Sequence, residues 1–200
     1  MIGIIDYGMG NLQSVVNSCE YVGAEVKLIR TAKELEMVSK VILPGVGAFR
    51  EGMNQLESLS MVEPLRKAAI EKKVPFLGIC LGMQLLATLG TEGGDRPGLD
   101  LIKGTVKRFE DSELRVPHVG WNDVKVCRPN SFMTADLSVD YYFVHSYYFK
   151  TEEPDDVVAT CDYGITFPCV VGRENIFGVQ FHPEKSHRFG LDLLRNFFKL

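Results

Sequence analysis

The sequence lacks any apolar run approaching the ~20 residues needed to cross a bilayer. Its start, Met1-Ile2-Gly3-Ile4-Ile5, has no basic lead and is cut off by Asp6, so no secretory leader is expected and the chain reads as soluble and cytoplasmic. It also lacks a basic excess. Its 22 Lys and Arg against 26 Asp and Glu leave a net charge of −4, and the cations are scattered rather than gathered in a stripe. That argues against nucleic acid or an anionic membrane as the main partner and favours a small-molecule enzyme or a protein partner. Cysteine pairing is missing as well. Cys19, Cys80, Cys127, Cys161 and Cys169 are odd in number, widely spaced and without a C-x-x-C pair. No disulfide framework, zinc site or other metal centre is expected, and the thiols read as reduced. Finally, there is no repeat, low-complexity tract or linker, so the 200 residues, 46% of them hydrophobic, read as one domain spanning 1–200.

What is present is an alternation of short apolar runs with amphipathic stretches. Residues 2–5 read as a strand ending in the turn Asp6-Tyr7-Gly8-Met9-Gly10, and Leu12, Val15, Val16, Cys19 and Val22 then follow helical spacing until Gly23. Strands are expected at 25–29 and 41–43 with a short helix at 32–38 between them, the second strand breaking at Pro44-Gly45-Val46-Gly47. Val62, Leu65, Ala69 and Ile70 mark another helix. Residues 76–79 form the next strand, followed at once by helical character over 82–89. Repeated strand-helix units imply an α/β fold, a doubly wound and mostly parallel sheet flanked by helices. The second half is richer in β structure, with strands expected at 104–109, 123–126, 141–145, 157–162, 169–171 and 176–181. Phe189, Leu193, Leu194, Phe197 and Phe198 then give a closing helix.

The sharpest chemical signal is Gly78-Ile79-Cys80-Leu81-Gly82, a nucleophile between two glycines where a strand meets a helix. In such an elbow the glycines allow close passage of the chain and the central residue stands on a strained turn. A helix N-terminus would favour the thiolate, and the Leu81 N–H would be placed to donate to an oxyanion. Taken alone, the motif leaves open a small core cysteine after a buried strand. A base is needed, and His182 stands in Gln180-Phe181-His182-Pro183-Glu184-Lys185-Ser186 at the end of an apolar strand. Active groups of open parallel sheets gather at the carboxyl ends of strands, so Cys80 and His182 are expected to meet there. Glu184 is spaced to take the proton of the far imidazole nitrogen. His145 ends an aromatic strand and is assigned to ligand binding, since it has no carboxylate at triad spacing. His187 reads as solvated.

These two blocks, with Met83-Gln84 following the elbow, resemble the signature of the class I (triad) glutamine amidotransferases, whose fold is flavodoxin-like. The likeness extends over essentially the whole chain. Ile5 to Leu12, Leu43 to Phe49, Val116 to Asn122, Tyr142 to Tyr147 and His182 to Ser186 further resemble the branch that serves as glutaminase subunit of imidazole glycerol phosphate synthase, in the histidine pathway. The resemblance implies hydrolysis of L-glutamine by Cys80, His182 and Glu184, with no cofactor. It implies oxyanion donors from Leu81 and the Val46-Gly47 segment, and glutamine held by Gly45, Gln84, His145 and Ser146. It implies that ammonia passes to a partner cyclase barrel in a heterodimer, with Asn11, Pro117, Trp121, Tyr142 and Lys185 at the partner surface. By composition alone Trp121, in an expected loop, could equally be buried under the second layer, and Pro44 to Gly47 could be a plain strand-ending turn.

Three other readings remain. A non-catalytic interaction module on this fold would be expected to lack His182 or Glu184. The glutaminase of vitamin B6 synthase shares fold and triad but is a poor match to Pro117-His118-Val119-Gly120-Trp121-Asn122. Paralogues that supply ammonia to a sugar-modifying synthetase of surface polysaccharides resemble this chain in Ser186-His187-Arg188-Phe189-Gly190.

Overall fold

The computed structural model describes residues 1–110 and 114–200. In chain order it holds β1 (Ile2–Ile5), α1 (Leu12–Tyr21), β2 (Val26–Ile29), α2 (Ala32–Leu35), β3 (Lys40–Leu43), α3 (Phe49–Ser58), α4 (Val62–Arg66), β4 (Phe76–Ile79) and α5 (Leu81–Leu85). The β-rich half follows with β5 (Leu89–Gly90), β6 (Arg96–Pro97), β7 (Gly104–Arg108), β8 (His118–Val126), β9 (Asp140–His145), β10 (Tyr147–Thr151), β11 (Val157–Tyr163), β12 (Ile165–Arg173), β13 (Ile176–Val179) and the closing α6 (His187–Lys199).

Nine strands form the main sheet in the order β2-β1-β3-β4-β13-β12-β11-β8-β9. The first five run parallel. The remaining four extend the sheet by antiparallel pairing. β1, β4 and β13 are buried at every residue, which is what a strand covered on both faces requires. Successive side chains leave on opposite faces. Ile2, Ile4, Ile42, Leu77 and Ile79 therefore join Val15, Cys19, Leu193, Leu194 and Phe197 in one core. Ile5, Val41, Leu43 and Phe76 join Phe49, Met53, Leu65, Leu81 and Leu85 in the other. A second sheet, β10-β7-β5-β6, stands beside the first.

Several elements differ from the sequence reading. α3 was not foreseen, although Phe49, Met53 and Leu56 lie on its buried face; Gly52 interrupts that stripe because a Cβ there would stand 3.2 Å from Leu85. α5 is one short turn and a half, not a helix over 82–89, because the chain turns back at Leu86 and Ala87 to bond Leu99 to Ile102. The segment around Trp121 is part of the long strand β8, paired to β9, rather than a loop. β10 also follows β9 almost directly, where no strand was expected.

The parallel strands deliver their carboxyl ends to one edge. β1 leads into Asp6 to Asn11, β3 into Pro44 to Gly47, β4 into Cys80 and β13 into Gln180 to Glu184. β4 and β13 are neighbours in register, Ile79 opposite Val179. That adjacency brings together two motifs a hundred residues apart.

Candidate active site

Cys80 sits at φ 53°, ψ −109°, a left-handed conformation that a side-chain-bearing residue holds only when its surroundings impose it. The flanking glycines are required by contact. A Cβ on Gly82 would stand 1.7 Å from the Leu43 carbonyl oxygen, and one on Gly78 2.5 Å from that of Gly82. The Cys80 N–H donates to the Val179 carbonyl at 2.8 Å, tying the elbow to β13.

From β13 the chain crosses to His182, whose N–H donates to the Tyr142 carbonyl at 2.9 Å. Ser186 locks this turn: its hydroxyl donates to the His182 carbonyl at 2.6 Å and accepts the Tyr142 N–H at 3.1 Å. The His182 ring then faces two groups. Nδ1 lies 2.8 Å from Glu184 Oε1, with both side chains buried. Burial alone would push the imidazolium down, but hydrogen bonds to Cys80 and Glu184 and the charges of the same two groups outweigh it and raise His182 to about 10. A histidine set between a carboxylate and a cysteine sulfur is the arrangement by which an imidazole serves a sulfur nucleophile.

Cys80 and His182 line a cavity of about 340 Å³ whose wall includes Val46, Gly47, Leu81, Gln84, Glu92, Pro117, His145, Ser146, Tyr147 and Lys185. A recess of equal volume under α2 and α4, lined by Ala32, Leu35, Glu63, Pro64 and Lys67, offers no nucleophile. Three residues expected at the site have partners of their own in this structure. The Leu81 N–H is occupied, donating to the Gly45 carbonyl at 3.3 Å. Gly45 itself stands behind the wall, where a Cβ would come 2.3 Å from the Tyr7 hydroxyl. His145 lines the cavity, with both ring nitrogens engaged within the protein: Nδ1 is 2.8 Å from the Tyr147 carbonyl and Nε2 is 3.0 Å from His118 Nδ1. Burial pushes His145 down to about 3 and His118 to about 4, so both rings are neutral.

Two residues, Glu92 on the cavity wall and Gln180 buried beside Cys80, were given no role in the sequence reading. Glu92 is fixed by the Phe49 N–H at 2.7 Å, at the start of α3. The signal was weak, since Glu92 lies in a Gly-rich loop and α3 was not foreseen. Gln180, fully buried, places its Nε2 at 3.7 Å from the Cys80 sulfur.

The family model described as glutamine amidotransferase class-I matches residues 3–200. The chain belongs to this family. Among its relatives, the imidazole glycerol phosphate synthase subunit HisH of Leptospira interrogans is 44% identical over 205 residues, covering all of both chains. The subunit of the same name from Moorella thermoacetica is 48% identical over 200 residues, covering all of this chain and 94% of its own. A crystal structure of a glutamine amidotransferase superposes with a TM-score of 0.73 at 21% identity, over 97% of this chain and 98% of that one, which shows the shared fold.

Of the residues expected at a partner surface, this amidotransferase chain brings two to the cavity. Pro117 and Lys185 line it, and the Lys185 ammonium lies 5.7 Å from the centre of the Tyr142 ring. Trp121 pairs across β8 and β9 with Tyr142, and at 46% exposed it is not covered by the second layer. Asn11 is exposed and caps α1, its side chain accepting the Ser14 N–H at 3.4 Å. His187 is not simply solvated: its ring stacks on Trp121 at 4.9 Å and 10°.

Proposed function

We propose that the chain is the glutaminase subunit of an imidazole glycerol phosphate synthase. It hydrolyses L-glutamine to glutamate and ammonia, and the ammonia is handed to a partner cyclase subunit that makes imidazole glycerol phosphate. The observation that carries this reading is the Cys80–His182–Glu184 constellation on a cavity of amino-acid size.

Cys80 attacks the side-chain amide as thiolate, His182 gives its proton to the departing ammonia, and Glu184 holds the ring in orientation. The thioester is then hydrolysed by a water that His182 deprotonates. Both hydrogens of the Gln84 amide are donated, to the Tyr147 carbonyl at 3.1 Å and to Gln180 Oε1 at 3.0 Å, which leaves its carbonyl oxygen as an acceptor. Together with the Glu92 carboxylate it would hold the α-ammonium group of glutamine, and Ser146 would contribute beside them.

The tetrahedral oxyanion needs donors from Leu81 and the Val46-Gly47 segment. The Gly45 carbonyl must first leave the Leu81 N–H, a peptide rotation that Gly45 and Gly47, the latter at φ 111°, are built to permit. While one donor is withheld the barrier stands about 2.7–4 kcal/mol higher, so glutamine is spared until a partner docks. The exposed Asn11, Pro117, Trp121 and Lys185, with Tyr142, would form the docking surface for a cyclase barrel, which encloses the path of ammonia. Among the described residues no helix is long and apolar enough to cross a membrane.

The test is reconstitution with a histidine-pathway cyclase subunit. Co-purification and a large gain in glutamate release are expected. Absence of both would overturn the assignment.

A further inference from the structure

A continuous line of hydrogen bonds runs behind the cavity wall, and backbone carbonyls orient it. The Asn122 amide donates to the Asp162 carbonyl at 2.9 Å, which can only accept, and its nitrogen also lies 3.2 Å from His118 Nε2. His118 Nε2 must therefore accept, His118 Nδ1 donates to His145 Nε2, and His145 Nδ1 donates to the Tyr147 carbonyl. That same carbonyl accepts from Gln84 Nε2, so the nitrogen end of Gln84 is identified, and it is this nitrogen that meets Gln180. The end of Gln180 facing Gln84 must then be its oxygen. Its Nε2 is turned to the Cys80 sulfur at 3.7 Å. No flip of Gln180 is tolerated, because it would set two nitrogens against each other in a place that is fully buried.

From this we infer that Gln180 is a catalytic residue: the line delivers an N–H donor, and not an acceptor, to the nucleophile, and that donor supports the sulfur anion. The inference rests on the reading of Cys80 as the nucleophile. A sulfur anion gains from a donor, whereas the neutral thiol would rather find an acceptor, which here is the Val144 carbonyl at 3.8 Å. The donor works beside His182, with Glu184 behind it. Tyr7, from the end of β1, is the other titratable group that senses Cys80, and Glu92 and Lys185 stand on the same cavity wall.

The test is iodoacetamide alkylation of Cys80 against pH on the full chain, without glutamine, resolved by peptide so that the exposed Cys127 is counted separately. For Gln180→Met, a donor-free side chain of similar shape, the rising limb should move to higher pH and the rate on that limb should fall about threefold or more, with the high-pH plateau retained. Gln180→Glu, of nearly the same shape, should move it further up, and it carries the test should the methionine variant fail to fold. A limb that stays in place in the folded variant overturns the inference, as does a rate lowered equally at every pH, which would mean altered access alone. Alkylation is read without substrate, so this failure is distinguishable from failure of the glutaminase reading, which is measured by glutamate release.

Discussion

On the parallel side of the cavity His182 stands against Glu184, and on the antiparallel side His145 stands against His118. All three rings are buried; His182 and His145 line the cavity, and His118 stands behind His145. Their protonation is opposite. His182 is raised to about 10 because a carboxylate and a sulfur face it. His145 and His118 are lowered to about 3 and 4 because burial acts on them with no anion to offset it. Burial therefore does not decide what a histidine does. The charge of its partners does, and only one wall of this cavity supplies any.

The contrast can be broken by mutation. Cys80→Ala should lower glutamate release by the complex by about 10⁴-fold or more, as loss of a nucleophile does elsewhere, while turnover with added ammonia is retained; loss of both would make the cysteine structural. Glu184→Gln should cost about 10²–10⁴-fold in the same assay, less than loss of Cys80, since it disorients the base without removing it. An unchanged rate would take Glu184 out of the site. On the other wall, His145→Phe should change glutamate release by no more than about tenfold. It would instead remove about 1–3 kcal/mol of stability in urea unfolding, because the buried His118 Nδ1–H loses its acceptor. A catalytic defect as deep as that of Glu184→Gln would reverse the comparison.

The smallest effect is in pH. Unfolded histidines titrate near 6.5, whereas folded His118 and His145 titrate near 4 and 3, so between these values the unfolded chain binds more protons. Their contribution to stability is full above about 6.5 and is lost as pH falls toward 4. The melting temperature should drop over that interval, and less so in His145→Phe. For His182 the sign is opposite, because its raised value stabilises below about 6.5 and is lost as pH rises through about 10. Equal acid sensitivity of wild type and His145→Phe would contradict the neutral pair.

Much of this was legible in the chain. β1, β3 and β4 announce themselves as short apolar runs, ended at Asp6, Pro44 and Cys80, and the elbow is readable because Gly78 and Gly82 must be glycines for steric reasons. His182 and Glu184 are spaced two apart on a turn that Pro183 imposes, so their pairing is a local matter. The antiparallel half was less legible. Trp121 sits in a strand whose residues carry no clean alternation, because β8 lies toward the edge of the sheet with one neighbour that is itself an edge, and its burial follows from its neighbours more than from its own pattern. Glu92 was missed because a carboxylate in a Gly-rich loop carries no period, and its role begins only where the loop folds over the first turn of α3.

By itself the sequence determined the elbow, the His-Pro-Glu turn and the strand-helix alternation, since each depends on residues within a few positions of one another. The tertiary structure alone decided that β13 lies beside β4 and so carries His182 to Cys80. It also decided that His145 finds an imidazole instead of a carboxylate, and that the Leu81 N–H is held by Gly45. The physical reason is range. Dihedral preference and hydrophobic period act along the chain, whereas proton affinity and access to a donor are set by whatever the strand order places within hydrogen-bonding distance.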